Sequence, residues 1–300
     1  MAQSLPVRVA GPRYRAWSNN LARATSGAWH ALQYLLLALV TFVMAMPLIW
    51  MILSALKPDT ETSSYPPTLL PVHPTLVNFG TLFKISPFAA FYANSVLAAG
   101  TAAVLTIVVS SLAAYAITRF RHRVFEALAG LGLLAYMLPS ILVVVPVVEI
   151  AQALHGTNSV PAIAVLYTAY FTPFGLWLLR SYFAGIPLEL EEAAMVDGAT
   201  RLGAFRRVVL PQALPGIIAT AIFTFSVAWN EYLYASVLLY SPLSQTLSAG
   251  LAVFLIGQLD SYSWGVLMAG GTLMTVPVII MFIFLQRWLV AGWGGGAIKG

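Results

Sequence analysis

Apolar residues run along this chain in long stretches separated by short polar intervals. A helix needs about 20 mostly apolar residues to cross the hydrocarbon core of a bilayer. Six stretches meet that length: 31–56, 94–118, 127–150, 161–183, 214–239 and 265–288. Prolines fall within several of them (Pro47, Pro139, Pro146, Pro173 and Pro277), and each predicts a kink that neighbouring helices can accommodate. A shorter apolar stretch, LSAGLAVFLIGQL within 241–264, covers about half a span and predicts a re-entrant or interfacial helix. The six prolines of 57–88 predict an extended, stiffened loop. The expected organisation is an N-terminal tail (1–30), a first span (31–56), a loop (57–93), a core of five spans (94–288) and a C-terminal tail (289–300). Within the core, a polar loop covers 184–213.

Composition agrees with an all-α polytopic membrane protein. The chain is 60% hydrophobic and 8% charged, against roughly 25% charged residues in a soluble domain. It cannot cover itself with polar surface, so lipid is its main solvent. There is no cysteine, which excludes disulfides and thiolate chemistry. The net charge of +5 needs no nucleic-acid partner, because the basic residues lie on one side of the predicted spans. Arg8, Arg13, Arg15, Arg23, Arg119, Arg121, Arg123, Arg180, Arg201, Arg206, Arg207, Arg287 and Lys299, 13 of the 15 Lys and Arg, share that side, while Lys57 and Lys84 lie on the other. The positive-inside rule makes the first side, with both termini, cytoplasmic. The first apolar run is too long for the core of a cleavable signal, about 7–15 residues.

One stretch departs from this pattern. EEAAMVDGATRLGAFRRVVLP, 191–211, holds six of the 25 charged residues. Pro187 can open a helix, and Glu189, Glu191 and Glu192 suit its positive end. Gly198 is placed to end it in a left-handed cap, and Thr200 to cap a second helix over 201–210, which Pro211 stops. Leu202, Phe205 and Val209 share a face of that second helix. Ala193 and Ala194 allow close approach of another surface. The pattern fits either a docking element or a solvated amphipathic loop.

The residues Glu192-Ala193-Ala194, Gly198 three residues on, and Val208-Val209-Leu210-Pro211 after nine more resemble the EAA signature of ABC-importer permeases. Val208 stands where that signature carries Ile. PLIWMILSALKP, LVNFGTLF, NSVLAAG…AAYAITRFRHR, MLPSILVVVPVV, WNEYLYA and QRWLVAGWGGGAIKG extend the likeness over nearly the whole chain. They resemble the carbohydrate permeases of the maltose-transporter type. The resemblance implies a type I importer permease fold in the cytoplasmic (inner) membrane. It also implies a homologous second permease, a dimer of cytoplasmic ATPases carrying ATP and Mg, and an extracytoplasmic solute-binding protein. Glu192, Ala193, Ala194, Asp197, Gly198, Arg201, Leu210 and Pro211 would then couple to the ATPase, and Gly296 and Lys299 in the tail would reach it too.

No catalytic residue and no bound cofactor is expected in this chain. GGGAIKG lacks the G-x-x-x-x-G-K-[ST] phosphate loop, and His30, His73, His122 and His155 show no metal-ligand spacing. Intramembrane acids point to function by default. Glu231, with Trp229, Asn230, Tyr232 and Tyr234, forms an aromatic-polar cluster suited to stacking on sugar rings. An interfacial aromatic belt with Glu231 paired structurally is the other reading. Glu149 and Asp260 are expected near water, and Arg119, Arg121 and Arg123 as a topological anchor. A stand-alone ion-coupled transporter remains the alternative function. It would be expected to show paired intramembrane charges or an inverted repeat, and neither is clear here.

Overall fold

The computed structural model describes residues 12–120, 122–255 and 264–294 of the 300, with side chains from 29 to 288 apart from 121 and 254–263. All described elements are helices. Four are individually long and apolar enough to cross a membrane: Trp29–Ala55 within the longer helix Pro12–Ala55, then Phe88–Phe120, Val160–Ala184 and Trp264–Trp288. Two bent pairs, Arg123–Tyr136 with Ser140–Ala153 and Arg201–Gln212 with Leu214–Asn230, bring the count to six when each is one span. The expected all-α architecture therefore holds with up to six spans, the third of them broken and the fifth, from Leu214, preceded by a sharply bent helical segment.

The breaks have local causes. The third span turns through 106° between Tyr136 and Ser140. Pro139 has no N–H to donate and its ring disfavours helical geometry at Leu138, so a kink becomes a corner. The expected fifth span, 214–239, ends as a regular helix at Asn230. Glu231 is extended (φ −65°, ψ 126°), and a separate short helix, Leu233–Leu238, follows. Pro211 does not stop its helix as expected. A π turn at Phe205–Val209 precedes it, so its ring falls in the first turn of a fresh helical segment, Leu210–Gln212, where the missing N–H costs nothing. The chain then bends by 75° into Leu214–Asn230.

The loop after the first span is folded rather than extended. It contains the helices Asp59–Thr62 and Val77–Ile85. Buried Asn78 donates from its amide to the carbonyls of Ala55 (2.9 Å) and Lys57 (2.7 Å). Glu61 accepts from the backbone N–H groups of Val72 (2.9 Å) and His73 (2.8 Å). The Lys57 ammonium donates to the Thr68 carbonyl and lies 4.6 Å from the Trp50 ring centroid. Side-chain to backbone bonds of this kind replace the ladder that a proline-rich segment cannot build.

The core forms where Phe88–Phe120 packs along Val160–Ala184 and Leu214–Asn230 lies against both. Ala98, Ala99, Ala102, Thr106, Ser110 and Ala114 line the buried face of Phe88–Phe120. Such small side chains let backbones approach, which is how helices associate without a hydrophobic drive between them. The first span differs. Its apolar window has no buried residue and its packing is against the Trp264–Gly294 helix. That surface is left for lipid or another chain.

Gly175 sits where three helices meet. A Cβ there would stand 2.8 Å from Ser110 Oγ and 3.1 Å from both Thr106 Cγ2 and Thr220 Cγ2, so it would press on two helices at once. A Cβ at Gly216 would meet the Tyr182 ring at 2.5 Å, a single side chain with room to turn. Gly175→Val is therefore expected to lower the thermal midpoint of the purified chain, at a cost of about 1–3 kcal/mol. An unchanged midpoint in a detergent melt would show that the three helices do not meet as described.

Candidate functional site

The charged loop is built from two helices on a buried support. The first, Leu188–Val196, follows Pro187 and carries Glu189 and Glu191 in its opening turn. It closes with Asp197 N–H donating to the Ala193 carbonyl (3.0 Å) and Gly198 N–H to that of Met195 (3.1 Å). Gly198 sits at φ +91°, in the left-handed region where a side chain is strained. Thr200 then opens the second helix, its hydroxyl accepting from Gly203 N–H at 3.1 Å. On that helix Phe205 and Val209 are buried, but Leu202, expected on the same face, is half exposed. The π turn rotates the later residues relative to Leu202, so regular helical spacing does not carry across it.

Phe205 anchors the second helix. Its ring lies 4.6 Å from that of Tyr115 and 6.2 Å from that of Phe183, in a cluster that includes Ala114, Leu179, Ile186, Val209 and Ala213. The first helix is held differently. Glu191 is 2% exposed, and its carboxylate forms an ion pair with Arg119 at the end of Phe88–Phe120. Tyr115 donates its hydroxyl proton to the other carboxylate oxygen at 2.9 Å. Arg119 also donates to the Ile186 carbonyl at 3.2 Å, in the turn leading into the loop. Arg119 is thus more than a topological anchor. A second ion pair, Arg180–Glu126 at 3.3 Å, is largely open to solvent, and exposed pairs of this kind contribute about 0–1 kcal/mol.

With Glu191 turned inward, its neighbours face out. Glu192, Ala193, Asp197 and Gly198 are exposed, and Ala194 is half-buried. Arg201 is exposed and stacks over the Phe120 ring at 5.3 Å, while Leu210 is half-buried and Pro211 exposed. Val196, not singled out from the sequence, is the most open apolar side chain of the loop at 87% exposure. Its position just before the Gly198 turn is visible in the sequence; its lack of cover is not. Gly296 and Lys299 lie outside the described residues, as does Asp260.

The aromatic-polar cluster near Glu231 divides. Trp229 is buried, its indole donating to the Met274 carbonyl at 3.1 Å, and Tyr234 is buried in the same core cluster. The Glu231 carboxylate accepts from the N–H groups of Tyr234 (2.8 Å) and Ala235 (3.1 Å) and from the Tyr167 hydroxyl. It caps the Leu233–Leu238 helix, so its lone pairs are committed to the fold. Asn230 and Tyr232 remain exposed. Glu149 is exposed, and no group of three or more potential metal ligands occurs among the described residues.

This arrangement has relatives. Residues 106–294 match the family described as the binding-protein-dependent transport system inner membrane component, and the chain belongs to that family. It is 34% identical over 267 residues to the inner membrane ABC transporter permease protein YcjP of Escherichia coli K12, covering 88% of this chain and 94% of that one. It is 34% identical over 264 residues to the diacetylchitobiose uptake system permease protein DasC of Streptomyces coelicolor, covering 88% and 95%. It is 33% identical over 266 residues to the trehalose/maltose transport system permease protein MalG of Thermococcus litoralis, covering 87% and 94%. Among solved structures, a bacterial ABC transporter importing alginate shares the fold with a TM-score of 0.73 at 22% identity, over 88% of this chain and 97% of that chain. The protein is accordingly an ABC-importer permease subunit, a membrane component that does not itself hydrolyse ATP.

The two adjacent glutamates should behave oppositely. Glu191→Ala leaves the Arg119 guanidinium buried without a counter-charge, a loss of about 3–5 kcal/mol. Glu192→Ala removes an exposed charge and should stay within about 0.5 kcal/mol. Thermal melts of the two variants in one detergent test this; equal shifts would contradict the burial of Glu191.

Proposed function

We propose that this chain forms half of the translocation pathway of an ATP-driven carbohydrate importer, and that its charged loop is the docking handle for a cytoplasmic ATPase. A homologous second permease would complete the pathway, and its surface together with lipid would cover the bare first span. A dimer of ATPases, carrying the ATP and Mg, would engage the loops of both permeases. An extracytoplasmic binding protein would deliver the solute. Both termini and the loop would be cytoplasmic, the side that holds 13 of the 15 Lys and Arg. Gly296 and Lys299 would extend the contact with the ATPase.

The observation that carries this reading is an exposed, small-residue surface, Glu192 to Gly198, mounted on a buried ion pair. Val196 adds one open apolar side chain to that surface. The carbohydrate class rests on the relatives, which include uptake permeases named for diacetylchitobiose and for trehalose/maltose. Of the Glu231 cluster, Asn230 and Tyr232 are the exposed side chains that could meet a solute, the Asn230 amide while bonded to the Ser226 carbonyl.

In mechanism, ATP-driven closure of the ATPases would shift the loop. The loop would turn the helix bundle, so that its cavity faces outward to receive solute. Alternating access of this kind needs a handle that is rigid towards the core and open towards the motor. Ala193→Trp is expected to abolish co-purification of the ATPase with this chain while leaving the chain's own melt unchanged. An ATPase that still co-purifies at the native ratio would contradict the docking role.

A further inference from the structure

The two arms of the loop are attached to the core by different kinds of contact, and the difference has a mechanical meaning. The Arg201–Gln212 arm rests mainly on apolar packing around Phe205 and Val209, with the exposed Arg201 guanidinium over the Phe120 ring as a charged contact there. Apolar contacts resist separation but are non-directional, so the surfaces can slide. The Leu188–Val196 arm is fixed by directed bonds. Tyr115 and Arg119 stand four residues apart on one face of Phe88–Phe120 and take one oxygen each of the Glu191 carboxylate. Arg119 holds the Ile186 carbonyl as well, so the helix and its entry turn are fixed to the same guanidinium. Charge-assisted bonds to a planar fork specify orientation as well as distance.

We infer that Arg119 and Tyr115 are positioning residues that make the Leu188–Val196 arm and the Phe88–Phe120 helix one rigid lever. Motion imposed on the exposed face of the arm then passes to that helix through Glu191. This inference rests on the reading of the loop as an ATPase handle for its role in transport, but the rigidity itself is a property of the chain alone.

The absence of native cysteine allows paired spin labels to be placed directly. Leu190→Cys and Leu112→Cys, both exposed, report the arm against the Phe88–Phe120 helix; Leu190→Cys with Ile280→Cys reports it against the last helix. In the purified full chain the first pair should give a narrow distance distribution, and Arg119→Gln should broaden it. In the assembled importer the first distance should stay constant between nucleotide-free and ATP-bound states while the second changes. Arg119→Gln should retain the ATPase yet lower solute moved per ATP hydrolysed at least tenfold, and the exchange Arg119→Glu with Glu191→Arg should recover part of that loss. A narrow distribution in Arg119→Gln, or a first distance that changes with nucleotide in the native importer, would overturn the lever. If no ATPase assembles with the native chain, the handle reading fails while the width measured in the chain alone still decides the rigidity. A purely structural role would lower the melt and the yield of complex without altering the ratio of transport to hydrolysis in the complex that forms.

Discussion

A carboxylate cannot be held out of water without a cation or several donors close to it, and the loop of this permease is organised around that demand. Glu191 points inward because Arg119 and Tyr115 wait at the end of the Phe88–Phe120 helix. Once it does, helical geometry turns Glu192 and Ala193 outward. The left-handed Gly198 and the Thr200 cap then bring the chain back, so that Phe205 can pack beneath. The buried pair has little net value for stability compared with apolar side chains of the same shape. What it supplies is a fixed orientation for the exposed face.

The core has a different character. Its helices meet through alanines, glycine and hydroxyl side chains. Thr106, Ser111 and Thr224 have buried hydroxyls with no partner within the described structure. Small side chains bring the backbones of these spans close together, which requires that no bulk intrude at Gly175.

Much of this was legible in the sequence, for physical reasons that differ by element. The spans were visible because lipid demands long apolar runs, and no tertiary information is needed to count them. The Gly198 turn and the Thr200 cap were visible because both depend on local backbone chemistry. Proline positions marked weak points but could not tell a kink from the 106° corner at Pro139, because the outcome depends on what the neighbouring helices fill. Nothing local distinguishes Glu191 from Glu192; the choice is made by Arg119, 72 residues earlier in the chain. Glu231 was noticed for its charge, yet its role as a helix cap followed only from the break after Asn230. The exposure of Leu202 is not legible either, because a π turn leaves no mark in the hydrophobic period.

The account stands on the exposed arm of the loop being the surface that the ATPase covers. Ala193→Cys in this cysteine-free chain allows the test by labelling with a membrane-impermeant maleimide in inside-out vesicles. Fast labelling of the chain alone and strong protection when the ATPase is co-assembled are the predicted results. Equal labelling in both preparations, or labelling only from the opposite face of the membrane, would contradict the account.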